Sequence, residues 1–125
     1  MKKFLDWAAL ENELNVLAER TREFTPDWII GIGKGGMVLA PLLASRLQVE
    51  KVASITTPIQ QFSEDSLNDA NILLVAAFLT QDTQNIISKF RKAKKVKVSS
   101  IYIKDRITVD YYVAKVEEVS FPWDH

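Results

Sequence analysis

Residues 4–24 carry apolar side chains at the spacing of a helix. Alternating steps of three and four place one set of positions on a single helical face: Trp7, Leu10, Leu14, Leu17, Thr21 and Phe24. The next segment, Thr25-Pro26-Asp27, ends the helix, because proline lacks a backbone N–H and its ring crowds the preceding turn. The pattern therefore predicts an amphipathic helix that packs one side against a core.

Short apolar runs alternate with helical patterns along the rest of the chain. Strands are predicted at residues 28–30, 52–55, 72–78, 96–103, 111–113 and 119–121, and helices at residues 37–47 and 84–92. This alternation is typical of an α/β fold, with a mainly parallel sheet flanked by helices. Ligands of such sheets bind at the carboxyl ends of the strands, so we expect function in the loops that begin at Gly31, Thr56, Leu79 and Lys104.

Composition narrows the class of protein further. The 125 residues predict a single domain over residues 1–125. Cysteine is absent and the one histidine is His125, which excludes disulfides and zinc-thiolate sites and argues against a histidine-based catalytic pair. Sixteen basic and sixteen acidic residues give a formal net charge of zero, so the chain as a whole does not attract nucleic acid or an anionic membrane. No run approaches the ~20 apolar residues of a membrane span, and we expect a cytoplasmic protein with no membrane partner.

All four glycines of the chain lie between residues 31 and 36, together with Lys34. Glycine lets backbone N–H groups approach a ligand, and the start of the following helix adds partial positive charge. The segment therefore predicts a loop that binds phosphate or pyrophosphate. Its spacing matches no Walker loop, and no acidic residue near Ile55 completes a dinucleotide-binding motif. The alternative is a tight turn where a helix packs closely on a strand.

Two segments at opposite ends of the chain carry further motifs. The first runs from Asp27 through the glycines to Leu47, and the second contains Tyr102-Ile103-Lys104, a stretch at residues 109–113 and the closing Phe121-Pro122-Trp123-Asp124. Together they resemble the purine branch (xanthine, guanine, hypoxanthine) of the type I phosphoribosyltransferases. These purine-salvage enzymes attach a purine to phosphoribosyl pyrophosphate. The resemblance covers nearly the whole chain and implies the type I fold, here with a reduced hood and a short mobile loop.

The resemblance also implies roles for single residues. Pyrophosphate would be held by the amides and side chain of Gly33, Lys34, Gly35 and Gly36, and the purine by Lys104 and by the backbone around Val119 and Phe121. Lys104 would donate to the exocyclic oxygen of the base, and its alternative is a solvent-exposed lysine at a strand end. Mg²⁺ would be the cofactor only where phosphoribosyl pyrophosphate binds, and a homodimer is implied.

The sequence departs from the family where the ribose and its 5′-phosphate would bind. The family has two acids at the end of its third strand, and this chain has Ala76-Ala77. The phosphate loop that follows lacks glycine, and its candidate ligands are Thr80, Thr83 and Gln84. Asp82 is the candidate catalytic acid, with a helix N-cap as its alternative role. Glu118 occupies the position of an aromatic ring that stacks on the base, and the mobile loop is shortened to about residues 56–70.

Two functional hypotheses follow from these observations. One is a purine phosphoribosyltransferase-like protein that binds phosphate, pyrophosphate or a nucleotide at residues 31–36, with weakened transfer of phosphoribosyl to a purine. The other is a catalytically inactive homologue with a regulatory, nucleotide-sensing or interaction role. A basic cluster at residues 89–97 is explained as solvated charge at a helix end. A patch that binds RNA or a protein partner is its less favoured explanation.

Overall fold

A computed structural model of the chain describes residues 2–55, 69–80, 87, 90 and 93–124. The elements in these ranges are β1 (Lys2–Phe4), α1 (Trp7–Thr21), a 3-10 helix (Arg22–Phe24), β2 (Trp28–Ile32), α2 (Gly33–Leu47), β3 (Lys51–Ile55), β4 (Asn71–Leu79), β5 (Lys95–Ile103), β6 (Tyr111–Lys115), β7 (Glu118–Ser120) and a final 3-10 helix (Pro122–Asp124). Most of the helix predicted at residues 84–92 and most of the loop predicted at residues 56–70 lie outside the described residues.

The main sheet has five strands in the order β3-β2-β4-β5-β6, and every neighbouring pair is parallel. The central strand β4 is buried at residues 72–77, because both of its faces are covered. Its register pairs Gly31 with Val75 on one side and Leu79 with Ile103 on the other. The carboxyl ends of β2, β4 and β5 therefore meet at one edge. This arrangement confirms the predicted α/β fold with a mainly parallel sheet.

Both α-helices of the described chain pack on the same face of this sheet. Fully buried leucines of the two helices form one cluster with strand residues: Leu10, Leu14 and Leu17 from α1, Leu39 and Leu43 from α2, and Ile29, Leu73 and Val75 from the sheet. A second cluster on the opposite face contains Ile30, Ile72, Leu74, Val98 and Phe90. The sheet is thus the middle layer between two apolar cores.

The first helix is shorter than the prediction for residues 4–24. It begins at Trp7, because the Oδ1 atom of Asp6 accepts a hydrogen bond of 2.8 Å from the backbone N–H of Ala9 and caps the helix. The preceding residues form β1, which pairs with β7 in a two-stranded parallel sheet, the reduced hood of the fold. Trp7, expected on the buried face, is 53% exposed, and its ring lies against Trp123 instead.

Two glycines allow α2 to approach the sheet closely. A Cβ atom on Gly31 would overlap the carbonyl oxygen of Gly36, and a Cβ atom on Gly36 would lie 2.5 Å from the carbonyl oxygen of Val75. Both neighbours are backbone atoms, so any side chain here would push α2 away from β2 and β4. The alternative explanation of the glycine segment, close packing of a helix on a strand, is therefore correct for Gly31 and Gly36.

Tyr102 joins α1 to the sheet through its hydroxyl group. The side chain is fully buried, and the hydroxyl donates a hydrogen bond of 2.6 Å to Oε2 of Glu13. The ammonium of Lys3 lies 5.2 Å from the centre of the ring. Burial, then the hydrogen bond to Glu13 and its negative charge, raises the pKa of Tyr102 well above its ordinary value. The folded protein therefore keeps the Tyr102 hydroxyl protonated at a pH at which an unperturbed tyrosine loses its proton.

We expect Gly36→Ala to lower the free energy of unfolding by about 1–3 kcal/mol, the usual cost of overpacking. Denaturation by urea measures the change. The control is Met37→Ala at the next position of α2, where the side chain is 46% exposed. This control should stay within about 0.5 kcal/mol of the wild type. Equal stability of Gly36→Ala and the wild type would contradict the close packing of α2 on the sheet.

Tyr102 should remain protonated in the folded protein above the ordinary tyrosine pKa of about 10, because its burial and its hydrogen bond to Glu13 raise its pKa. The unfolded chain releases this proton near pH ~10 and the folded chain does not, so stability should fall as the pH rises above that value. The tyrosinate absorbance of the wild type and of Tyr102→Phe should coincide until unfolding begins. Extra tyrosinate absorbance in the folded wild type would show that Tyr102 titrates normally.

Candidate functional site

A cleft of about 360 Å³ opens at the carboxyl edge of the sheet. We call it the carboxyl-edge cleft, and three segments line it: Ile32, Gly33, Lys34 and Gly35 at the start of α2, residues 76–80 at the end of β4, and Val119, Phe121, Trp123 and Asp124 near the C-terminus. These segments are far apart in the sequence, and the parallel sheet brings them together. The cleft thus lies at the edge where the α/β pattern predicts a ligand site.

One wall of the cleft is the first turn of α2. The predicted loop before a helix at residue 37 does not form, because Gly33 turns the chain with a φ of 72° and the helix begins at Gly33 itself. The N-cap residue is Ile32, whose side chain makes no capping hydrogen bond. The first N–H groups of a helix have no partner within the helix. The wall therefore presents backbone donors, together with the exposed side chain of Lys34.

The end of β4 forms the floor. Ala76 and Ala77 both line the cleft and are 4% and 7% exposed. Gly35 lies against Ala77, since a Cβ atom on Gly35 would lie 2.5 Å from the Cβ atom of Ala77. Methyl groups neither accept hydrogen bonds from ribose hydroxyls nor bind Mg²⁺. The floor is thus uncharged and packed against the start of α2.

Thr80, a predicted phosphate ligand, is exposed and lines the cleft just beyond β4. The other residues predicted for this loop, namely Asp82, Thr83 and Gln84, lie outside the described residues. Lys104, predicted to bind the base, is exposed after β5 and does not line the cleft. Its backbone N–H donates to the carbonyl oxygen of Leu79 at 3.3 Å, which ties the end of β5 to the residue before Thr80.

The opposite wall is the C-terminal segment. The rings of Phe121 and Trp123 stack with centroids 4.7 Å apart and planes 6° from parallel. The Oδ2 atom of Asp124 accepts the N–H of Phe121 at 2.8 Å, and the N–H of Asp124 donates to the carbonyl oxygen of Phe121 at 3.0 Å. Trp123 and Asp124 were absent from the predicted ligands. Their signal in the sequence was the closing Phe-Pro-Trp-Asp motif.

The predicted pyrophosphate ligands divide into two groups. Gly33, Lys34 and Gly35 line the cleft, whereas Gly36 is buried beneath them and packs on Val75. Its place is explained by the close approach of α2 to the sheet, for which residue 36 must be a glycine. The predicted base ligands Val119 and Phe121 do line the cleft.

The described residues around the cleft do not fit a metal site held by the protein. No group of three or more His, Cys, Asp or Glu side chains that could hold a metal ion occurs in the described ranges. Asp124 is the carboxylate among the described lining residues, and one of its oxygens already accepts the N–H of Phe121. The described residues alone would therefore not complete the coordination of Mg²⁺ in this cleft.

Two further clefts have larger volumes, of about 470 and 520 Å³. The first is bordered by Asp110 and Tyr111 at the start of β6, and the second by Asp27 and Glu50, which precede β2 and β3. Both lie toward the amino ends of strands. Topology therefore selects the carboxyl-edge cleft, although its volume is smaller.

Two described lysines of the basic cluster, Lys95 and Lys97, lie close to aromatic rings. The ammonium groups of Lys95 and Lys97 lie 6.0 and 5.4 Å from the centre of the Phe24 ring, and Lys97 donates to the hydroxyl of Tyr111 at 3.3 Å. These contacts favour a structural role for both lysines.

Within the described ranges, neither α-helix has the length and the apolar composition of a membrane span.

Searches with protein-family models and with curated proteins gave no match to this sequence. Solved structures do resemble the chain. A purine phosphoribosyltransferase from Pyrococcus horikoshii Ot3 is 26% identical with a TM-score of 0.82, over 99% of this chain and 94% of that protein. The xanthine-guanine-hypoxanthine phosphoribosyltransferase of Helicobacter pylori is 16% identical with a TM-score of 0.78, over 99% of this chain and 94% of the enzyme.

A hypothetical protein from Neisseria gonorrhoeae, solved with bound ppGpp, is 19% identical with a TM-score of 0.79. That match covers 100% of this chain and 90% of the Neisseria protein. All three similarities extend over nearly the whole chain, as the motifs at its two ends predict. The resemblance inferred from the sequence is thereby confirmed: the chain is a phosphoribosyltransferase-like protein with the type I fold, similar to the purine branch of that family.

Proposed function

We propose that this protein binds pyrophosphate, or the phosphate of a purine nucleotide, in the carboxyl-edge cleft, and that its transfer of phosphoribosyl to a purine is strongly weakened. The observation that carries the proposal is the composition of the cleft. Its wall at α2 keeps uncapped backbone donors and Lys34, while its floor has two alanines. The start of α2 thus keeps donors for an anion, whereas the end of β4 has alanines at the positions where the family has carboxylates that hold the ribose.

The wall at α2 supplies three kinds of attraction for phosphate. Backbone N–H groups of Gly33, Lys34 and Gly35 donate hydrogen bonds, and the helix dipole adds partial positive charge at the same end. The ammonium of Lys34 adds a full charge that is free to adjust, since its side chain is exposed. The absent side chain of Gly33 leaves open space for a ligand close to the backbone, whereas the space beside Gly35 is occupied by Ala77 and Trp123.

The floor at β4 supports weakened catalysis. Transfer of phosphoribosyl passes through a state with positive charge on the ribose, and removing one stabilising group typically costs ~10²–10³ in rate. Ala76 and Ala77 provide no such charge, and Gly35 packs against the methyl group of Ala77. Asp82 remains the proposed acid near the reacting carbon, with Thr80, Thr83 and Gln84 as proposed ligands of the 5′-phosphate.

Several broader features belong to the same proposal. Mg²⁺ would accompany phosphoribosyl pyrophosphate rather than occupy a site built by the protein. By the resemblance to the family, Lys104 is proposed to donate to the exocyclic oxygen of the base. The resemblance to the family further supports a homodimer, a single domain over residues 1–125 and a place in the cytoplasm as part of purine nucleotide metabolism.

A second candidate function is nucleotide sensing without catalysis. It is favoured by the Neisseria protein, which has bound ppGpp and covers the whole of this chain with a TM-score of 0.79. The two pyrophosphate groups of ppGpp are suited to a cleft that offers backbone N–H donors and Lys34 to phosphate. Competition between ppGpp and guanosine monophosphate distinguishes the candidates, because sensing predicts clearly tighter binding of ppGpp.

Calorimetry with pyrophosphate should show binding in the micromolar range. Lys34→Ala should weaken it by about 10- to 150-fold, since a hydrogen bond from a charged group contributes about 1.5–3 kcal/mol. Lys51→Ala is the control, because it removes the same charge from the amino end of β3 and should leave the affinity unchanged. Absence of binding at millimolar pyrophosphate would contradict the proposal, as would equal weakening by the two substitutions.

Transferase activity should be at least ~10²-fold below that of the Helicobacter pylori enzyme with the same substrates. The assay follows the consumption of guanine, xanthine or hypoxanthine in the presence of phosphoribosyl pyrophosphate and Mg²⁺. Low turnover is expected together with measurable binding of pyrophosphate, because the two properties depend on different walls of the cleft. Turnover equal to that of the Helicobacter enzyme would show that Ala76 and Ala77 are not at the reacting ribose.

A further inference from the structure

We propose that Trp123 is the surface on which the planar base of the ligand stacks, so that the cleft prefers phosphorylated ligands with a heteroaromatic base over sugar phosphates. This inference rests on the proposed anion site and adds the class of ligand that the site selects. It concerns a residue that the sequence motifs did not identify as a ligand. The argument depends on its place, its rigidity and the other residues of the cleft.

Trp123 lies beside the anion donors and is in contact with Gly35. Its indole lines the cleft, and its Cζ2 atom lies 3.0 Å from the position that a Cβ atom on Gly35 would occupy. A ligand that places phosphate at the first turn of α2 therefore begins within reach of the indole ring. Every nucleobase has a π face, and stacking on an aromatic side chain needs no particular hydrogen-bond pattern.

The indole is held in place before any ligand arrives. One of its faces stacks on Phe121 at 4.7 Å, and the turn that carries it is closed by the two hydrogen bonds between Phe121 and Asp124. Phe121 is only 4% exposed and lies 6.2 Å from Tyr102, whose hydroxyl is anchored on Glu13. A surface that is already ordered loses little conformational entropy when it binds.

The other described residues of the cleft make weaker stacking surfaces. Phe121 is covered by Trp123, and Glu118, which occupies the position of an aromatic ring in the family, is exposed on β7 and does not line the cleft. Phe78 also lines the cleft, but it packs against the core on the helical side of the sheet. Trp123 is therefore the largest aromatic side chain among the described lining residues, and it is only half-buried.

Calorimetry with pyrophosphate, ribose 5-phosphate and guanosine monophosphate tests the inference. The wild type should bind guanosine monophosphate roughly tenfold or more tightly than ribose 5-phosphate, as stacking of one base on one ring provides. Trp123→Leu should abolish this preference and leave the affinity for pyrophosphate unchanged. Trp123→Phe should retain part of the preference, which separates loss of the ring from loss of folding.

Trp7→Leu is the matched control, because Trp7 contacts Trp123 but does not line the cleft, and it should keep the preference. Retention of the preference in Trp123→Leu, or its loss in Phe78→Leu alone, would overturn the inference. If the wild type binds pyrophosphate but binds guanosine monophosphate and ribose 5-phosphate with equal affinity, this inference is overturned and the proposed function is not. Absence of binding for all three ligands would overturn the proposed function as well.

Discussion

The close contact between the first turn of α2 and the backbone of β2 and β4 fixes the geometry of the rest of the structure. It exists because Gly31 and Gly36 have no side chains, so the start of the helix reaches the carbonyl oxygen of Val75. The same contact brings Gly35 against Ala77 at the end of β4. One packing arrangement therefore places the backbone donors of α2 beside the floor of the carboxyl-edge cleft.

This geometry separates two properties that a phosphoribosyltransferase combines. In the proposed function, attraction for an anion comes from the start of α2 and is retained, because it depends on backbone groups and Lys34. Stabilisation of a positively charged ribose comes from carboxylates, and the positions at the end of β4 are alanines. The balance of 16 basic and 16 acidic residues conceals this local difference, since a net charge averages over the whole surface.

Sequence patterns predicted the sheet and the location of the cleft, because continuous apolar runs such as residues 72–78 have few alternatives to a buried strand. They placed the start of α2 at residue 37, since glycines are typical of loops, although Gly33 is where this helix begins. They missed β1, which is three exposed residues long and is stabilised by distant β7. They did not single out Trp123, which lines the cleft, and Lys104, predicted to bind the base, is not among the described lining residues. A side chain's position depends on contacts between distant segments, which the sequence pattern does not give.

The central claim is that the first turn of α2 binds an anion within the carboxyl-edge cleft. It is tested most directly by amide NMR on the isotopically labelled protein during a titration with pyrophosphate. The account predicts that the amide resonances of Gly33, Lys34 and Gly35 shift together and reach saturation, with smaller shifts near Trp123. Saturating shifts confined to the amino edge of the sheet, around Asp27 and Glu50, would contradict it.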